Sequence, residues 1–508
     1  MASRRLDNLS HETAHSAATE NQTVRTADFL WIDYQEGNSQ DRELTRSKHA
    51  FIRTRHHRLR KDTQMQHFRA SVQARPVDHP SPSSTNNLIQ KQPQGNVGND
   101  GNDEVSRASL QIYGLEAGVL DGFPSLASGT RQNPNIYFHH YRVHSAKSCF
   151  PLCSKDVTVW FWKKALDDPA LMQIKLSISA SHRAAILGSY GSSAASAQKH
   201  TQDALRLRVG TIKSLRSILH STSKIYTEST IFIIAHLIVS EAIEANIAAV
   251  NAHMNGMKKI IAATGGLDLL DHGTLALIYS CEILRGMIGT TPPAVRMCAK
   301  FEDRIIKESL SYKLNELPTR RSTVGLHFFD ASWSKHIQSK FKPIIQSFQS
   351  LITFYENLDI VQLEPMSVEN DHLLFLGYQL LSLPYLCSLT PFEETIRLSI
   401  FVYASCRIWS FYGTSCLEVL VETLRESIST SFVVLESVAS DLLFWILFIG
   451  SLASKGMKCH SWYLGLLTDL ADKLFLEGWD SVVSILERYF FRFRSEDDPA
   501  KEIWNSAF

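Results

Sequence analysis

Residues 228–266 read ESTIFIIAHLIVSEAIEANIAAVNAHMNGMKKIIAATGG, and their spacing decides the fold. Ile231, Ile234, Ala235, Ile238 and Ala242 recur three and four apart, and Ile247, Val250, Met254, Met257 and Ile261 do the same. That is the period of an α-helix with one buried stripe. Glu244-Ala245-Asn246 separates the two stripes, so the stretch predicts an antiparallel helical hairpin. Gly265-Gly266 supplies residues free to adopt positive φ at a helix end, and Asp271 is placed to cap a further helix over 272–288.

Outward from the hairpin the same period dominates from about residue 133 to the end, and strand-like alternation is scarce. Helices are expected at 334–355, 367–382, 391–411, 417–428, 432–454, 461–475 and 480–493. Thr390-Pro391-Phe392-Glu393 has the capping hydroxyl, first-position proline and third-position acid of a helix start. Residues 442–454, LLFWILFIGSLAS, form the most apolar run, but thirteen residues fall short of the ~20 that cross a bilayer. They predict a buried central helix, with Trp445 and Phe448 in the core. The expected fold class is all-α, built from antiparallel helical hairpins, over residues 131–508.

The N-terminal quarter differs. Residues 1–41 are a polar tail with a short apolar patch. Residues 42–75 form a basic arm with ten Lys or Arg against Glu43 and Asp62, a local charge of +8 that leaves −7 for the rest of a chain whose total is +1. Residues 76–130 read as a disordered linker, and 76–107 in particular combine Pro, Ser, Asn, Gly and Gln with almost no apolar side chains. The centre of the arm is Arg53, Arg55, Arg58, Arg60 and Lys61. Five cations in nine residues suit a phosphate backbone or a nuclear-import receptor, so nucleic acid is an expected partner of the arm.

Eight cysteines scattered from Cys149 to Cys459 do not form a disulfide scaffold, and the first residues carry no apolar signal-peptide run. Both point to a reducing intracellular compartment. Two groups have the residue types for zinc. His11-Glu12-Thr13-Ala14-His15 matches H-E-x-x-H but lies in Ser/Thr/Asn-rich chain without a packed helix around it. His139, His140, His144, Cys149 and Cys153 lie close in sequence, but their spacing fits no usual zinc pattern. Neither phosphate-binding loops nor a nucleophile elbow is found. The residues therefore point to no catalytic site, no metal and no cofactor, and to a protein that is not an enzyme.

Three blocks of residues resemble a known family. The first is Phe29-Leu30-Trp31-Ile32-Asp33 with Arg46-Ser47-Lys48-His49-Ala50-Phe51-Ile52-Arg53. The second runs from Tyr137-Phe138-His139-His140-Tyr141 through Trp160, Phe161, Ala165–Leu171, Glu228-Ser229 and Ala252–Met257 to Thr264-Gly265-Gly266-Leu267. The third is Leu443–Gly450 with Trp462 and Trp479-Asp480-Ser481-Val482. Together they resemble fungal transcription-factor-like proteins carrying the fungal-specific regulatory, or middle homology, domain. The resemblance implies an all-α domain that regulates rather than catalyses, in the nucleus. It also implies protein partners or self-association, room for a small effector, and no membrane. Such proteins usually bind DNA through a six-cysteine binuclear zinc cluster near the N-terminus, whereas no cysteine precedes Cys149 here. A regulatory domain without that cluster is therefore expected, with a cytoplasmic helical scaffold or adaptor as the alternative.

Overall fold

Side-chain caps written in the sequence, at Thr227, Asn246, Asp271 and Thr390, start four of the observed helices. The computed structural model describes residues 134–152, 154–189, 194–221, 227–289, 291–316, 324–356, 367–491 and 499–507, all regular elements of which are helical. The tail, the basic arm, the linker, His11, His15 and Cys153 lie outside the described residues.

Helix α1 (Pro134–His140) passes through a π-helical turn (Tyr141–Ser145) into α2 (Ala146–Cys149), followed by α3 (Ser154–Asp167), α4 (Pro169–Ser189) and α5 (Ala194–Leu219). The expected hairpin is α6 (Glu228–Ile243) and α7 (Ile247–Ala263), which leads to α8 (His272–Ile288) and α9 (Ala299–Glu308). Then come α10 (His327–Asp330), α11 (Lys342–Glu356), α12 (Glu369–Leu386), α13 (Pro391–Tyr403) and α14 (Ser415–Val438). The chain closes with α15 (Ser440–Ala453), α16 (His460–Lys473), α17 (Trp479–Leu486) and α18 (Pro499–Ala507).

The hairpin ends follow the sequence cues. Asn246 caps α7 by accepting from the Ala249 amide, across a turn in which Ala245 takes φ 57°. At the far end Gly265 and Gly266 take φ 100° and 99°, and their amides bond to the carbonyls of Ala262 and Ile261. This double bond satisfies carbonyls that the helix end would leave open. Asp271 caps α8 by accepting from the Thr274 amide at 2.7 Å. Thr390 and Glu393 form the expected reciprocal cap of α13.

Helix α8 packs on α6 and α7 and also on α12 and α14, which lie far apart in the sequence. A Cβ on Gly286 would stand 2.1 Å from Leu381 Cδ2, and one on Gly377 would stand 2.8 Å from Ile283 Cδ1, so two glycines let α8 and α12 approach closely. Arg285, at the end of α8, bonds Glu282 at 2.9 Å together with Thr291 and the Pro292 carbonyl, while Glu282 accepts from the Val295 amide. The loop after α8 is thereby tied back to it.

Helix α15 is the buried central helix that the apolar run predicts: every residue from Leu442 to Ala453 is buried. It packs against α13, α14, α16, α17 and α18. Trp445 and Phe448 are fully buried, and Trp445 Nε1 donates to the Phe490 carbonyl at 3.1 Å. Among the described residues no helix is long and apolar enough to cross a membrane.

Several expected boundaries move. The helix expected over 334–355 splits into a 3₁₀ turn, Ser332–His336, and α11. Gln338 lies between them, where its amides bond to the Glu393 carboxylate at 2.8 and 3.0 Å, a tertiary contact that replaces helical bonding. The gap expected near 429–431 is instead helical. Ser429, Thr430 and Ser431 each donate a hydroxyl to the carbonyl four residues back, so these polar residues stay within α14. The break falls at Ala439, with φ −152° and ψ 52°. α12 runs on through Pro384 to Leu386, and α13 ends in a π-helical turn, Ala404–Ile408.

The substitution Trp445→Ala removes the largest side chain of α15. It is expected to cost about 3–5 kcal/mol, as for other buried aromatics. Chemical denaturation measures this, and a loss below ~1 kcal/mol would contradict a central role for this helix.

Candidate functional site

The densest buried polar arrangement lies between α1, α4 and α5. Helix α4 is apolar on most of its buried surface, with Ile174, Leu176 and Ile178, yet Lys175, Ser179 and His182 are buried as well. They stand at i, i+4 and i+7, which is one face of a helix, and all three meet α1 or its π-helical turn. Lys175 Nζ donates to Tyr141 Oη at 3.0 Å, Ser179 Oγ to the Tyr137 carbonyl at 2.5 Å, and His182 Nδ1 meets Ser145 Oγ at 3.0 Å and His140 Nε2 at 3.1 Å. The wider π turn keeps Tyr141 and Ser145, four residues apart, over the same neighbouring helix.

A second set of bonds joins α1 to α5. Tyr137 Oη donates to Asp203 Oδ2 at 2.7 Å and lies 3.0 Å from His200 Nδ1. The hydroxyl has one hydrogen, so it accepts from His200 Nδ1–H, and His200 Nε2 is then free to accept from Arg183 Nε at 3.3 Å. Arg183, His200, Tyr137 and Asp203 thus form one chain of donors and acceptors. Burial raises the Tyr137 hydroxyl above its ordinary range, and Asp203 adds to the effect. Arg208, buried in α5, extends the polar contacts to α6 through Glu241 at 3.5 Å and Glu244 at 2.8 Å.

The electrostatics of the seam are unusual. Lys175 is 4% exposed and sits 3.6 Å from the centre of the Phe161 ring, in a cation–π contact. Desolvation lowers its amine to about 7. Burial also lowers His140 to about 3 and His182 to about 4, with neighbouring histidines adding to the shift, so both are neutral at pH 7. The seam is closed to solvent, and its bonds lock α1 in place rather than hold a nucleophile or base against an open site.

Of the five residues that sequence spacing groups as zinc ligands, the four described ones, His139, His140, His144 and Cys149, do not converge on one point. His140 turns inward to His182, its ring 4.8 Å from that of His144, whereas His139, His144 and Cys149 are exposed. Among the described residues no group of three His, Cys, Asp or Glu is placed to hold a metal ion. Lys175, His182, His200 and Asp203 are not singled out by sequence motifs. The available signal is their position: polar side chains at inward-facing places on otherwise apolar helices. Arg53, Arg55, Arg58, Arg60 and Lys61 lie outside the described residues.

A second candidate, an open hollow of about 670 Å³, lies beside α10 and α17. Asp330, Asp480, Glu487, His327 and Arg488 line it. His327 is held there by Asp330 at 2.8 Å and Asp441 at 3.1 Å, which ties α10 to α15.

The seam, unlike the hollow, falls within the part of the chain that a known family covers. Residues 136–283, from α1 into α8, match the family described as the fungal specific transcription factor domain. Comparisons with curated proteins and with solved structures returned no match.

The seam makes two predictions. Lys175→Met keeps the length and apolar body of the side chain and removes a buried cation that no carboxylate faces in the seam; replacement of such groups by apolar ones is commonly neutral or stabilising. Thermal melting at pH 7 is expected to give an equal or higher Tm, and a drop of more than ~5 °C would show that the Tyr141 and Phe161 contacts outweigh desolvation. The second concerns acid. His140, His182 and the equally buried His372, lowered by burial to about 3, have folded pKa values below the unfolded value. Their stability is therefore fully present above about pH 6.5 and lost as pH falls towards 4, at about 1.4 kcal/mol per histidine per pH unit. Tm is expected to fall steeply between pH 7 and 5, and a flat profile would overturn the neutral-histidine reading.

Proposed function

We propose that this protein is a nuclear transcription regulator that acts without catalysis, through protein partners held by the helical region 131–508. The match of residues 136–283 to the fungal specific transcription factor domain carries this reading and supports a transcription-regulatory role of fungal type. The packing agrees with a regulatory role. α1 is the first described helix after the N-terminal 133 residues, and the polar seam fixes it to the domain through four side chains, Tyr137, His140, Tyr141 and Ser145.

In this reading Arg53, Arg55, Arg58, Arg60 and Lys61 serve nuclear import or contact phosphate, without reading sequence. Such contacts would weaken linearly in log affinity against log salt. A fluorescently tagged protein lacking residues 42–61 is expected to lose nuclear accumulation in cells. Exclusion of the intact protein from the nucleus would favour a cytoplasmic adaptor and overturn the proposal. Unchanged nuclear accumulation of the truncated protein would remove the import role from the arm.

A further inference from the structure

Helix α5 has a second face that stands open among the described residues. It packs on α4 and α6, yet Leu205 and Val209 are 41% and 45% exposed, and Ile212 is half-buried beside them. These three stand at i, i+4 and i+7 and form one apolar row. Lys199, Arg206 and Lys213, all exposed and spaced by seven, form a basic row along the same helix, about a quarter turn away. Asp203 is the only acidic residue between Ala194 and Leu219, and it is buried, bonded to Tyr137 and paired with Arg206 at 3.3 Å. Among the described residues neither Lys199 nor Lys213 meets a carboxylate.

We infer that this face docks an acidic amphipathic helix from a partner protein. An apolar row at i, i+4 and i+7 is the spacing at which one helix meets the apolar stripe of another. The parallel cations then select a partner that has carboxylates along one flank of its stripe. A basic partner would be repelled, and a phosphate backbone would leave Leu205 and Val209 uncovered. The inference rests on the proposed role of the domain as a partner-binding unit and names the surface and the chemistry of the partner. The polar seam lies on the other side of α5 and stays closed when the face is occupied.

The test uses the full-length protein and a fluorescein-labelled 18-residue peptide, an amphipathic helix with leucines at i, i+4 and i+7 and glutamates along one flank. Fluorescence anisotropy is expected to show binding that weakens with salt. Affinity should fall at least ~10-fold, or about 1.4 kcal/mol, in Leu205→Gln/Val209→Gln and in Lys199→Glu/Lys213→Glu. Far-UV circular dichroism melts should show both variants folded, as these side chains lie at the surface. A peptide with lysines in place of glutamates should not bind. Equal binding of the lysine peptide, or unchanged affinity in both variants, would overturn the inference. So would a wild-type dimer in light scattering that Leu205→Gln/Val209→Gln turns into a monomer, because the face would then belong to a second copy. Nuclear accumulation of the tagged variants should match wild type, so a failed docking site and a failed nuclear role give different results.

Discussion

The close approach of α8 to α12 is the constraint on which the helical fold hangs. Gly286 and Gly377 leave no room for a Cβ at the contact, and each faces an apolar side chain of the opposite helix. A methyl at either place would press on the opposite helix, and α8 packs both on the hairpin α6–α7 and on α12 and α14. The Arg285–Glu282 pair then fixes the chain leaving α8, so the approach is held at its end as well as along its length. Helix α15, buried from Leu442 to Ala453, packs on α13, α14, α16, α17 and α18.

Much of this architecture is legible in the sequence because it depends on short-range rules. The period of Ile231 to Ala242, the glycines at 265 and 266, and the Thr390–Glu393 cap each act within one or two helical turns. The misplaced boundaries have two causes, one of them a long-range partner. Gln338 leaves the helical path for Glu393, 55 residues away, and nothing near Gln338 announces it. Ser429, Thr430 and Ser431 look like a break by composition but are absorbed into α14 through hydroxyl bonds to its own backbone.

The candidate site was less legible for the same reason. Of the residues that hold the seam, sequence reading finds His140 as a would-be metal ligand, from its neighbours along the chain. Its real partner, His182, is 42 residues away, and the Tyr137–Asp203 bond spans 66. A polar residue on an apolar stripe is visible in a single sequence. Which other polar residue meets it is decided by the packing of three helices.

The order of bonds along α1 has a mechanical meaning. Tyr137, His140, Tyr141 and Ser145 attach it to α4 and α5 at successive turns, and the preceding 133 residues join it at Pro134. A force applied at Pro134 would load the Tyr137–Asp203 bond first and the Ser145–His182 bond last. The helix then peels from its entry end rather than shearing as a whole. Each hydrogen bond contributes only about 0.5–1.5 kcal/mol net, so bonds loaded one at a time hold less than the same bonds loaded together.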